Sequence, residues 1–277
     1  MGAPRPGHEY VLGTHGAERD RLALQHSLWV DEARQGWRAA GIGRGSRVLD
    51  MGCGPGHAME ALLALVGPTG GVTGIELSPE FAAQARARAA SHARPDVEVH
   101  EFDLMSGPLP KPLHGAFDAV WCRWVAMFVR DPSRLVRAVH DALHPGGCVV
   151  FHEYVHYGTY GLHPHGGRVR EFVEHAMASY AAEGGDADVG RRLPALLAES
   201  GMEVSSLRPI ARVARPSDLL WNWPAGFIRT YSRRLLELGR VDESWVRALN
   251  EELERAVARA ESMLVAPTVL EVVAVRR

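Results

Sequence analysis

Residues 46–62 read SRVLDMGCGPGHAMEAL: an apolar segment ending in Asp50, glycines at positions 52, 54 and 56, and then a string of helix formers. An apolar run predicts a buried strand, and the residues from 57 onward predict a helix. Glycine lets backbone approach a ligand closely, and the first turn of a helix offers N–H groups with no partner in the helix. A strand, glycine turn and helix in this order form a ligand seat, although the same glycines would also serve a tight connection and nothing more. Dinucleotide folds space their glycines G-x-G-x-x-G. Here the third glycine comes one place early and His57 follows it, which disfavours a nicotinamide oxidoreductase.

The pattern repeats along the chain. The runs RVLDM, GVTGIEL, VEVHEF, FDAVWC and CVVFHEY predict strands, and residues 57–66, 79–92 and 131–143 between them predict helices. Such alternation predicts an α/β fold with a mostly parallel sheet covered by helices. Ser78-Pro79 and Asp131-Pro132 each supply a capping side chain and a proline for a helix start. Residues 17–40 predict a leading helix. After Tyr154 the rhythm breaks: 157–167 reads as a loop, 168–183 and 191–200 as helices, and 202–213 as a strand. Residues 217–264 form a mostly helical insertion, and TVLEVVAVRR closes the chain as a strand. The expected organisation is a helical lid over 1–45 and a Rossmann-like core over 46–156. Cap insertions follow over 157–190 and 214–266, with the remaining core elements over 191–213 and 267–277.

Glu76 ends the second strand, 26 positions after Asp50, where a carboxylate suits the two hydroxyls of a ribose. Asp103 ends the third, within reach of an adenine amino group or serving as a strand-end cap. Taken in order, VLDMGCGPG, VTGIELSPE, FDL and FDAVWCRWVAMFVRDPSRLVRAVHDALHPGGCVVFHEY resemble the class I S-adenosylmethionine-dependent methyltransferases, in particular their bacterial small-molecule (UbiE-like) subset. The resemblance implies a seven-stranded sheet ordered 3-2-1-4-5-7-6 with an antiparallel last strand. It implies S-adenosyl-L-methionine as cofactor and S-adenosyl-L-homocysteine as product. The methionine end would lie on Asp50, Gly52, Gly54, Gly56, Cys122 and Arg123. The ribose would lie on Glu76 beside Leu77, and the adenine on Asp103 and Leu104. YVLGTHGAERDRLALQHSLW resembles the family's leader, which folds over the cofactor and offers Tyr10 and Gln25.

Methyl transfer from a sulfonium needs an acceptor held in line and water excluded, and a base only where the acceptor must lose a proton. FHEYVHY places His152, Glu153 and His156 near the carboxyl edge of the sheet as candidate bases; a strand-end histidine can equally be structural. His163 and His165 add imidazoles, but HPHGG reads as a turn without accompanying carboxylates, so no metal site is expected. Tyr157, Phe172, Trp221, Trp223 and Phe227 are expected to line an apolar acceptor pocket or to form the core of the cap. Helix 242–262 alternates charges as a solvated outer helix does.

Net charge is −2, with 31 basic and 33 acidic residues, so no basic face for nucleic acid or anionic membrane is expected. No run is long enough to cross a bilayer, and MGAPRPGHEY lacks the design of a signal peptide. The three cysteines, at 53, 122 and 148, read as reduced thiols of a cytoplasmic protein. A small-molecule methyl acceptor and a monomer or homodimer are expected. The alternative is a cofactor-binding enzyme of the same fold with non-methylating chemistry, such as a pericyclase or decarboxylase.

Overall fold

The computed structural model describes residues 16–92, 94 and 97–277. In chain order the elements are α1 (Gly16–Ala39), β1 (Arg47–Met51), α2 (His57–Val66), β2 (Gly71–Glu76), α3 (Pro79–Ser91), β3 (Val99–Glu101), β4 (Phe117–Arg123), α4 (Pro132–Ala142) and β5 (Leu143–His156). There follow β6 (Gly161–His163), α5 (Gly167–Ala182), α6 (Leu193–Glu199), β7 (Met202–Ile210), β8 (Val213–Ala214), α7 (Asn222–Glu237), α8 (Glu243–Val257), β9 (Met263–Val265) and β10 (Thr268–Arg276).

Seven strands form one sheet in the order β3-β2-β1-β4-β5-β10-β7. The first five run parallel, and β10 inserts antiparallel to both β5 and β7. Counted within this sheet alone, the order is the expected 3-2-1-4-5-7-6. Its central strands are apolar on both faces, as a sheet covered by helices requires. Val48, Leu49, Val120, Val149, Val150 and Phe151 are all fully buried.

The helix starts follow the sequence signals. Ser78 accepts the Phe81 N–H and precedes Pro79; Asp131 accepts the Ser133 N–H and precedes Pro132. Glu252 on α8 plays the same part from outside α5, accepting the backbone N–H groups of Arg168 at 3.1 Å and Val169 at 2.9 Å. The α8 helix is solvated on one face, while Leu249, Leu253 and Ala256 pack on the other.

One element has no counterpart in the sequence reading. Strands β6, β9 and β8 pair as a small antiparallel sheet beside the cap. Residues 157–167, expected as a loop, contain a 3-10 turn at Tyr157–Thr159 and the strand β6.

The leading helix is tied down by charge. Arg208 on β7 donates to Glu32 at 2.7 Å and, at 2.9 Å, to both oxygens of Glu271 on β10. Gly36 faces the same carboxylate so closely that a Cβ there would lie 2.2 Å from Glu271 Oε2. This contact fixes α1 over the sheet, with Arg21, Leu22, Gln25 and His26 turned toward the carboxyl ends of the strands.

Candidate active site

A cleft of about 830 Å³ lies at those strand ends, closed by α1 and by residues of α5 and α7. That is where open α/β sheets place their ligands. The glycine turn forms one wall. Gly52 has φ +78°, and a Cβ there would meet Val125 Cγ2 at 2.3 Å, so glycine alone fits. Gly54 has φ +54°, and a Cβ added there would meet nothing within 4 Å, which leaves bare backbone facing open space. Gly56 does not line the cleft. Its Cβ would come within 2.9 Å of Ala85 Cα, so the third glycine serves the packing of α2 on α3.

Glu76 is welded to this turn: Oε2 accepts the Gly54 N–H and Oε1 the Ser78 N–H, each at 2.8 Å. Burial raises its pKa while those backbone N–H groups oppose the rise. Leu77, Asp103 and Leu104 continue the wall, with Asp103 Oδ1 accepting the Met105 N–H at 2.8 Å.

Asp50 and Arg123 stand at the inner end. Burial pushes the Asp50 carboxyl up to about 7, against the pull of Arg123, and its Oδ2 is buried with no hydrogen-bond partner. The Arg123 guanidinium lies 5.5 Å from the Trp121 ring centroid and 5.1 Å from that of Trp124. Its Nη2 is 3.3 Å from His26 Nδ1, and its Nη1 is buried without a partner. Burial lowers its pKa to about 10. Cys122, expected beside the cofactor, does not line the cleft. Side chains alternate along a strand, so Trp121 and Arg123 face the cleft and Cys122 goes to the opposite core.

Gln25 lines the cleft, its Oε1 accepting from Arg21 and from Trp223 Nε1, each at 2.9 Å. Tyr10 lies outside the described residues. His26 and His57 stack at 5.9 Å; burial first, then Arg123 and Arg88 respectively, lowers them to about 3 and about 4. Both are therefore neutral at pH 7.

The three candidate bases are not on the cleft wall. His152 is fully buried and donates from Nε2 to Glu271 at 2.8 Å. Glu153 is fully buried, and its Oε1 accepts the backbone N–H groups of Val125 at 2.6 Å and Ala126 at 2.7 Å. His156 is exposed. Residues 152 and 156, four apart, would share a face of an unbroken strand, but a bulge lies between them. Thr268 pairs with His156 and Val269 with Tyr154, so Val155 is skipped and the alternation inverts.

Of the expected acceptor residues, Trp223 and Phe227 line the cleft. Tyr157, Phe172 and Trp221 do not; they are buried within the cap and its neighbouring core, the other reading of these aromatics. Sequence reasoning missed Trp124, Tyr154 and Tyr160, which do line it, as Tyr180 does. Trp124 has φ +52°, a conformation bulky side chains rarely hold, and strain of this kind gathers at working sites. The CRWV sequence at the end of β4 does not mark that conformation.

Residues 49–151 match the family model described as a methyltransferase domain. That segment of the chain is thus a methyltransferase domain. The chain is 33% identical over 149 residues to a ubiquinone biosynthesis O-methyltransferase of Xanthomonas campestris pv. campestris, covering 49% of this chain and 59% of that protein. The chain spans about half the length of the curated relatives it matches. Among solved structures, a geranyl diphosphate C-methyltransferase from Streptomyces coelicolor A3(2) superposes with TM-score 0.58 at 20% identity, covering 99% of this chain and 91% of that one. The cyclase SpnF superposes with TM-score 0.56 at 19% identity, covering 88% and 79%. At such identities these likenesses show the methyltransferase fold.

Proposed function

We propose that this protein transfers a methyl group from S-adenosyl-L-methionine to a small, partly apolar metabolite. The observation that carries the reading is the pair of orphaned buried groups, Asp50 Oδ2 and Arg123 Nη1, on the wall of one cleft beside a glycine turn. An unpaired buried polar group is costly, so each of these calls for a ligand group of complementary charge. An amino acid's ammonium and carboxylate meet both needs.

The residues present fit the cofactor along its whole length. Gly52 and Gly54 give it close backbone, and Asp50 and Arg123 take its amino-acid end. Glu76 keeps carboxylate lone pairs for ribose hydroxyls, and Asp103 with Leu104 holds the adenine. The bound cofactor supplies an electrophilic methyl group on a sulfonium. The chain's own task is to place the acceptor behind that methyl and to keep water out. Trp124, Tyr154, Trp223 and Phe227 give that half of the cleft flat apolar walls. The neutral imidazoles His26 and His57 are too weakly basic to take a proton at pH 7. Positioning rather than base catalysis therefore suits this site, with an acceptor that arrives with its lone pair ready.

The chain carries formal charge −2, and no helix among the described residues is long and apolar enough to cross a membrane. Its three cysteines are free and buried. These features suit a cytoplasmic enzyme with a small-molecule acceptor and without nucleic acid, acting as a monomer or homodimer. The test is incubation with methyl-labelled cofactor and candidate acceptors. A product heavier by one methylene, with S-adenosyl-L-homocysteine released in equal amount, upholds the proposal. Conversion of the acceptor without either result contradicts it.

A further inference from the structure

Away from the cleft, a second cavity of about 330 Å³ opens between the His163–His165 turn and the C-terminal half of α8. It shares no lining residue with the cleft. Leu162, Pro164 and Ala256 give it apolar walls, and Arg255, Arg259, His163, His165 and Ser262 give it hydrogen-bond donors. Guanidiniums only donate, and an imidazole carries at least one N–H in either tautomer.

The charge balance of this cavity is uneven. Its carboxylate, Glu252, spends both oxygens on the N–H groups that open α5. Arg255 has a loose pairing with Glu251 at 3.7 Å. Arg259 has no carboxylate within 4 Å among the described residues. Ser262 is 3% exposed and lines the cavity. Five donor side chains thus face one carboxylate whose two oxygens are already engaged, a donor surplus that an anion would match.

We propose that this cavity binds an oxyanion, a phosphoryl or carboxylate group, held by Arg259, Arg255 and Ser262 with the two imidazoles around it. Charge-assisted hydrogen bonds from guanidinium to oxyanion are the strong ones, and arginine's planar fork matches both groups. Bound there, the anion ties the turn before α5 to the end of α8. It thereby braces the cap that carries Tyr180 and Phe227 into the cleft. This site is independent of the cofactor reading.

The test is equilibrium dialysis of the full chain against radiolabelled inorganic phosphate, and against labelled acetate, with ionic strength held constant by chloride. One saturable site per chain is expected. Its affinity should fall at least tenfold in Arg259→Gln and at least threefold in Ser262→Ala, each shown to be folded by near-ultraviolet circular dichroism. Arg247→Gln, exposed on the same helix outside the cavity, should bind as the wild type does. Phosphate bound tenfold more tightly than acetate assigns a phosphoryl ligand, and the reverse assigns a carboxylate; either upholds the proposal. No saturable binding of either ion overturns it, as does binding that survives Arg259→Gln but is lost in Arg123→Met.

Discussion

Glu153 Oε1 accepts the Ala126 backbone N–H at 2.7 Å, and the Val125 N–H at 2.6 Å. A carboxylate from β5 thereby holds the turn that follows β4, directly after the left-handed Trp124. Trp124 in turn donates its N–H to the His152 carbonyl at 3.0 Å. These bonds sustain a strained backbone at the cleft wall, so Glu153 acts on the site through Trp124.

Burial pushes the Glu153 carboxyl up from 4.5 to about 8, against the pull of those N–H groups. The folded state therefore binds a proton that the unfolded chain has released between those values. Stability from this group is present below pH 4.5 and is lost as pH rises through about 8. Glu153→Gln cannot ionise, so its stability deficit relative to wild type should shrink from pH 5 to pH 8.5. Urea unfolding at several pH values measures it, and a deficit that grows with pH contradicts the account.

Arg123 Nη1 is a buried donor without a hydrogen-bond partner at the inner end of the cleft. Arg123→Met should weaken S-adenosyl-L-homocysteine binding by tenfold or more. It should leave 5′-methylthioadenosine, which lacks the amino-acid end, within about threefold, since a hydrogen bond to a charged group contributes about 1.5–3 kcal/mol. Calorimetry with both ligands reads the difference; equal losses would show that Arg123 serves the fold and not the ligand.

Gly52→Ala places a methyl 2.3 Å from Val125 Cγ2 at φ +78°. A loss of about 1–3 kcal/mol from backbone strain is expected, with the collision added. In the double variant with Val125→Ala, the collision part should return and the strain part remain. Urea midpoints separate the two, and no recovery at all would refute the contact.

His152 is bonded to Glu271, whose carboxyl burial would raise but whose bonds to Arg208 and His152 hold at about 2. His152→Gln should cost stability, about 1–3 kcal/mol for a disturbed buried partner. Homocysteine-cofactor affinity should stay within twofold and the pH profile of methyl transfer should keep its shape. A profile that loses its acidic limb would restore His152 as the proton acceptor.

The sheet was legible because its strands are apolar on both faces and its helices carry local start signals at Ser78-Pro79 and Asp131-Pro132. That Gly52, Gly54, Glu76 and Asp103 gather on one cleft wall was legible because they sit at strand ends whose order the pattern already set. The rest of the cleft was not. Val155 is skipped at a bulge, which a strict alternation cannot reveal, and so the sequence does not show that His152 and His156 part company. Gly56 and Cys122 sit inside recognisable motifs, yet one packs helices and the other faces the core. Strands β6, β8 and β9 are two or three residues long, too short to show a period. Trp124 enters the cleft through a backbone conformation that composition does not encode.

The most direct measurement is calorimetric titration of the folded chain with S-adenosyl-L-homocysteine, beside Glu76→Ala. One site per chain in the micromolar range or tighter is predicted for the wild type, with affinity at least tenfold lower in the variant. Folded wild-type protein that gives no binding heat at two temperatures, and shows no retention of labelled cofactor, contradicts the assignment of this cleft.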